Sequence, residues 1–197
     1  MIQKKVIKMS DSEIKKTFDE SAKIILNSNK LEKSIMNSIS LISTSLKNKK
    51  KIVIFGNGGS AADSQHMAAE LIGRYLKERS SFSAIALTTD SSILTALGND
   101  YGFENIFSRQ CEGLVRKGDV VIAISTSGNS KNVLNGILKS KHLGAKIISL
   151  TGNNTSKMKK HSDIIIPVSS KSTPRIQEAH RTIIHIICEQ VEKNLSK

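Results

Sequence analysis

Cysteine is nearly missing from this chain. Cys111 and Cys188 are the only two, and they form neither a Cys-x-x-Cys pair nor a disulfide framework. That excludes a small disulfide-stapled scaffold and fits a reducing, cytoplasmic setting. Tryptophan is absent and aromatic residues make up only 4%, so a base-stacking platform for nucleic acid is poorly supplied. No apolar run approaches the ~20 residues of a membrane-spanning helix. The opening Met1-Ile2-Gln3-Lys4-Lys5 lacks the apolar core of a signal peptide. Acidic residues are also scarce, 17 against 30 lysines and arginines, for a formal charge of +13. Such an imbalance admits polyanionic partners. The lysines are dispersed, however: Lys4-Lys5, then Lys47, Lys49, Lys50 and Lys51, then Lys157, Lys159 and Lys160. This pattern reads as a solvated basic surface and argues against a nucleic-acid partner.

What is present is organised around Lys51 to Tyr75. Lys51-Ile52-Val53-Ile54-Phe55 is a short β-branched run of the kind buried in a parallel sheet. Gly56-Asn57-Gly58-Gly59 breaks it, and Ser60, a good N-cap, opens a helical pattern through Ala62, Met67, Ala68, Leu71 and Ile72. A strand, a glycine turn and a helix start place free N–H groups at the carboxyl edge of a sheet, a site for an anion or a polar sugar. The glycine spacing matches neither G-x-G-x-x-G nor a P-loop. His66 and Glu70 stand at i and i+4 on that helix and share a face.

Strand patterns recur at Ser83–Leu87, Asp119–Ile124, Ala145–Leu150 and Asp163–Ile166, with helical patterns between them. The expectation is one domain over residues 1–197: a doubly wound, five-stranded parallel sheet, flavodoxin-like in class. Residues 11–48 form a helical pair, broken near Asn27-Ser28-Asn29, within an N-terminal extension over 1–50. Its apolar stripe would pack on the core or on a neighbouring subunit. Gly98-Asn99-Asp100-Tyr101-Gly102 reads as a loop, Phe103–Arg116 as a helix, and Arg175–Leu195 as a long closing helix.

A second strand-to-helix loop, Ser125-Thr126-Ser127-Gly128-Asn129-Ser130, offers four hydroxyls and several backbone N–H groups. Neutral donors at a helix start suit a phosphate. Both loops are expected at the same sheet edge, so a phosphorylated polar small molecule is the natural occupant. The closing helix adds Gln177, Glu178, His180 and His185, each able to serve a metal or a proton transfer. His185, between Ile183-Ile184 and Ile186-Ile187, is either a satisfied core histidine or a working one. Gln177 and His185 are about 12 Å apart in helix rise. They reach one metal only from opposite sides, or with one preceding the regular helix, or from different subunits.

Gly56-Asn57-Gly58-Gly59-Ser60-Ala61-Ala62-Asp63 with His66 and Glu70, then Gly98-Asn99-Asp100, Ser125 to Ser130, and Arg175-Ile176-Gln177-Glu178-Ala179-His180 with His185 resemble the phosphoheptose isomerases. These are sedoheptulose 7-phosphate isomerases of the sugar-isomerase (SIS) fold. Four motifs in order make the resemblance specific over nearly the whole chain. It implies conversion of sedoheptulose 7-phosphate to D-glycero-D-manno-heptose 7-phosphate through an enediol, supplying heptose to lipopolysaccharide or capsule. It implies one zinc ion (Zn2+) per subunit on His66, Glu70, Gln177 and His185, with Glu70 and His185 catalytic. Substrate contacts would fall to Asn57, Gly58, Gly59, Glu70, Asn99, Asp100, Ser125, Thr126, Ser127, Ser130 and Gln177, in a homotetramer with sites at subunit interfaces. Pro174 departs from the small or acidic residue expected before Arg-Ile-Gln, leaving open how Ser169–Thr173 closes over the sugar. The alternatives are a non-catalytic binding protein of the same fold, of the replication-initiator-associating type, and an isomerase of another sugar phosphate.

Overall fold

The computed structural model describes residues 11–153 and 156–196; Lys4 and Lys5 of the basic count lie outside the described residues. Two helices come first, α1 (Asp11–Asn27) and α2 (Glu32–Lys47), joined by a 3-10 turn at Ser28–Leu31. Ser28 Oγ donates to Ile24 O at 2.9 Å, a local hydrogen bond at the expected break. Strands and helices then alternate. They are β1 (Ile52–Gly56), α3 (Gly59–Ile72), β2 (Ala84–Ala86), α4 (Ser91–Tyr101), α5 (Ile106–Leu114) and β3 (Val120–Ser125). After these come α6 (Lys131–His142), β4 (Lys146–Thr151), α7 (Ser156–Lys159), β5 (Ile164–Pro167) and α8 (Thr173–Leu195).

All five strands are parallel, in the order β2-β1-β3-β4-β5, as the alternating pattern leads one to expect. The central strands β1 and β3 are buried along their whole length, which is why they read as unbroken apolar runs rather than alternating ones. Successive residues still feed opposite layers. Ile52, Ile54, Ile122 and Ile124 meet Met67, Leu71, Ile183 and Ile187 of α3 and α8. Val53, Phe55, Val121 and Ala123 meet Phe107, Val133 and Ile137 of α5 and α6. From β1 the chain winds outward to β2, then crosses back to β3 and winds the other way. The carboxyl ends of β1 and β3 therefore flank the point where the winding reverses, where open α/β sheets leave a crevice.

Several boundaries differ from the sequence expectation. Residues 98–101 are not loop: α4 runs through Tyr101 and stops at Gly102, whose φ is +82°. The Asp90 carboxylate accepts the Ile93 N–H at 2.9 Å, and a firmly capped helix carries Gly98 in its interior. Phe103–Asn105 is a 3-10 turn, and α5 ends at Leu114 rather than Arg116; the Arg116 N–H is taken instead by Asp119 Oδ2 at 2.8 Å. Ser60 is not the cap of α3. Gly58 is, with φ +56°, and Ala61 and Ala62 donate to its backbone carbonyl at 2.9 and 3.2 Å. The closing helix begins at Thr173, with Pro174 in its first turn, where proline's fixed φ and missing N–H are tolerated. Among the described residues no helix is long and apolar enough to cross a membrane.

Candidate functional site

Both glycine- and serine-rich loops lie at the carboxyl edge of the sheet, one after β1 and one after β3, on adjacent strands. They are tied together by a side-chain pair. Asn57 Nδ2 donates to Asn132 Oδ1 and Asn132 Nδ2 to Asn57 Oδ1, both at 2.9 Å. Asn132 is buried, so the Asn57 amide is held towards it and the two loops are fixed relative to each other. In the second loop Ser125 Oγ lies 3.4 Å from Ser127 Oγ and 3.2 Å from Ser130 Oγ. Ser130 occupies the N-cap of α6 but makes no side-chain cap bond. Its hydroxyl joins the serine cluster, and the positive end of α6 faces the crevice without a serine acceptor.

The second half of the site crosses from α3 to α8. His66 Nε2 and His185 Nε2 are 2.8 Å apart, one ring donating and the other accepting. Glu70 Oε1 lies 3.4 Å from the same His66 nitrogen. Two imidazoles and a carboxylate thus share one small volume within a single protomer. His185 is half-buried and engaged rather than locked in the core. Burial holds His66 below its usual pKa; the Arg181 cation adds to that and Glu70 opposes it. Among the described residues no group of three or more His, Cys, Asp or Glu is spaced around a centre as a ready metal cage. The donors are of the kind that bind a metal, but here the rings are closed on one another.

Other candidates fall elsewhere. Gln177 lies inside regular helix α8, which removes the option that it precedes that helix. Its amide rests on Gly59: a Cβ there would stand 2.8 Å from Gln177 Cδ. Gly59→Ala is therefore expected to fold normally, since the atoms its Cβ would meet are the far end of the flexible Gln177 side chain. It should lower kcat/KM at least ~tenfold by displacing Gln177. A melt and a kinetic run on the same preparation check both halves. His180 is fully buried, with Nε2 donating to Thr151 O at 3.1 Å, and is structural. Glu178 faces α1, bonded to Ser21 Oγ at 2.7 Å and paired with Arg175. Asn99 and Asp100 sit exposed in the last turn of α4, bonded to each other at 2.8 Å. Among the described residues neither forms a hydrogen bond to either ligand loop.

Three further groups have no role assigned to them by the sequence motifs. Asn132 joins the two loops. Arg181 pairs with buried Asp63 at 2.6 Å, across the same helix seam and one turn from the histidine pair. Burial raises the Asp63 pKa, and Arg181 opposes the rise. Tyr75 lays its ring 5.9 Å from that of His185. Asp63 and Arg181 lie three and four residues before His66 and His185, so their position on the shared faces was open to inspection. Nothing local marks the other two.

Residues 17–152 match the family model described as SIS domain. The phosphoheptose isomerase of Aquifex aeolicus is 53% identical over 181 residues, 91% of this chain and 95% of that protein. The phosphoheptose isomerase of Helicobacter pylori (strain P12) is 51% identical over 191 residues, 95% and 98% of the two chains. Solved phosphoheptose isomerases superpose closely. The one from Neisseria gonorrhoeae gives a TM-score of 0.88 at 39% identity, over 92% of this chain and 98% of its own. The one from Francisella tularensis gives 0.90 at 32% identity, over 94% and 100%. With that agreement over nearly the full length, the chain belongs to the phosphoheptose isomerases of the SIS-domain family.

Proposed function

We propose that this chain interconverts sedoheptulose 7-phosphate and D-glycero-D-manno-heptose 7-phosphate in the cytoplasm, supplying heptose for lipopolysaccharide or capsule. The observation that carries the proposal is the meeting of His66, Glu70 and His185 between α8 and α3, the helix that leads out of the first of two loops at the reversal point of the sheet. The serine loop and the start of α6 hold the phosphate, and the Asn57–Gly59 backbone and Gln177 hold hydroxyls. Asn99 and Asp100, exposed in the last turn of α4, supply further polar contacts to the sugar.

Ketose–aldose exchange moves a proton between neighbouring carbons. Glu70 takes a proton from C1 while His185 delivers one to the C2 carbonyl oxygen, giving a cis-enediol. His185 then recovers a proton from the C1 hydroxyl as Glu70 returns its own to C2, leaving the aldehyde at C1. Both groups contact the same His66 nitrogen, so they act on adjacent atoms without large movement.

Two imidazoles and a carboxylate are the donor set of catalytic zinc centres, which keep a further position open. His66, Glu70 and His185 fit that group in kind. Gln177, the fourth ligand the family resemblance implies, lies eight residues before His185 on regular helix α8 and rests on Gly59, so it joins them from the opposite side or from a neighbouring subunit. Zinc supplies polarisation of the carbonyl when bound. Chelation is expected to lower aldose formation at least ~tenfold and added zinc to restore it. Wild-type protein assayed with sedoheptulose 7-phosphate, before and after chelator, is the test; absence of aldose in metal-replete protein would refute the assignment.

A groove of about 910 Å³ runs between α1, α2 and α8, lined by Leu26, Met36, Ile39, Ile183 and Ile186. Leu26, Met36 and Ile186 stand exposed along this helical face. We assign the face to further copies of the chain, in a homotetramer, because so broad an apolar surface is uncommon on a monomer.

A further inference from the structure

The segment between α3 and β2, residues 73–83, has no helix or strand, yet two nearly water-free charged side chains gather it. Arg79 and Glu192 are 5% and 2% exposed, with Nε 3.0 Å from Oε1. Glu192, near the end of α8, also accepts the backbone N–H groups of Tyr75, Leu76 and Lys77 at 2.8, 2.7 and 2.8 Å. Arg79 donates Nη2 to Glu70 O at 2.9 Å and Nη1 to Leu71 O and Ser80 O, both at 3.0 Å. Its guanidinium lies over the Phe82 ring, 3.8 Å from the centroid.

A buried ion pair is a poor device for stability alone, because desolvation offsets most of the attraction. What this one touches is more telling. Glu70 stands two residues from the end of α3, in a last turn whose carbonyls lack helical partners and would fray. Arg79 satisfies the Glu70 carbonyl and shares the Leu71 carbonyl with the Phe82 N–H, which donates at 3.1 Å. Glu192 meanwhile fixes the backbone of Tyr75, whose ring leans on His185 at an interplanar angle of 54°. Building on the isomerase reading above, we propose that Arg79 and Glu192 are positioning residues: their buried pair stops the Glu70 turn from fraying and holds Tyr75 against His185.

Arg79→Lys is the test, because it keeps a charge beside Glu192 but replaces the planar guanidinium fork that spans Glu70 O, Leu71 O and Ser80 O by a single ammonium. Ile137→Val, in the opposite layer of the core, is the control for lost stability. In Arg79→Lys, kcat should fall ~tenfold or more with KM changed less than ~threefold, whereas the control keeps its kcat. Independently of turnover, the amides of Tyr75, Leu76 and Lys77 should exchange with solvent ~tenfold faster or more in Arg79→Lys and not in the control. Should Arg79→Lys not fold, Tyr75→Leu should show the same selective loss of kcat. A kcat within ~twofold of wild type together with unchanged amide exchange overturns the proposal. If wild-type protein fails to turn over sedoheptulose 7-phosphate, the functional reading falls, and the exchange measurement alone decides the clamp.

Discussion

Replacing Glu70 by glutamine should cut turnover by about 10²–10⁴-fold while leaving KM within about threefold. Glutamine matches glutamate in size and can still accept a hydrogen bond, but it cannot carry a proton from one carbon to the next. The side chain is partly exposed and contacts His66 at 3.4 Å, so the exchange creates no cavity and strands no buried charge. The loss should therefore appear in kcat at unchanged melting temperature. Because Glu70 also belongs to the proposed metal set, metal content must be measured alongside. A variant that keeps its metal and loses turnover isolates the proton-transfer role. Near-normal turnover at normal metal content would remove Glu70 as the base.

His180 carries the second large effect, this time on stability. Burial drives its pKa down from 6.5 to about 4, against an opposing contribution from its bond to Thr151 O. Nε2 carries the hydrogen of that bond, and Nδ1 is buried without a partner among the described residues, so a second proton would find no acceptor there. The unfolded chain binds a proton below pH 6.5 while the folded chain refuses it until about 4. Stability is thus fully present above pH 6.5 and is lost as pH falls towards 4. At about 1.4 kcal/mol per unit the loss is about 3 kcal/mol.

Glu192 behaves differently. Burial would raise its pKa, but the N–H groups of Leu76, Tyr75 and Lys77 and the Arg79 side chain hold it down at about 2. Its contribution is present above 4.5 and fades only between 4.5 and about 2, mostly below the histidine window. Urea unfolding of wild type and His180→Gln at pH 7 and 4.5 should show a much flatter pH dependence in the variant. Parallel pH dependences would mean that His180 is not the acid-sensitive group.

The sheet was legible because parallel central strands are buried on both sides, and Ile52–Phe55 and Val120–Ile124 show this as unbroken apolar runs. The two loops were legible because glycine and serine cluster where those runs end. The His66–Glu70 face followed from helical spacing alone. The meeting of His66 with His185 was not, since 119 residues separate them and only the packing of α3 on α8 brings them together. For the same reason Arg79, Glu192 and Asn132 stayed hidden: each acts on a partner far away in sequence. Gly98–Tyr101 misled because glycine, asparagine and aspartate all favour turns. The Asp90 cap and tertiary packing outweighed that local preference. Glu178 and His180, one residue and three residues past Gln177, showed no sign in the sequence that one faces α1 and the other the core.

The most direct test of the central claim is a crystal structure of the Glu70→Gln protein soaked with sedoheptulose 7-phosphate. The phosphate should lie against Ser125–Ser130 and the start of α6, with C1 and C2 of the sugar between residue 70 and His185. A sugar phosphate seated away from these two side chains, with the β1–β3 crevice unfilled, would contradict it.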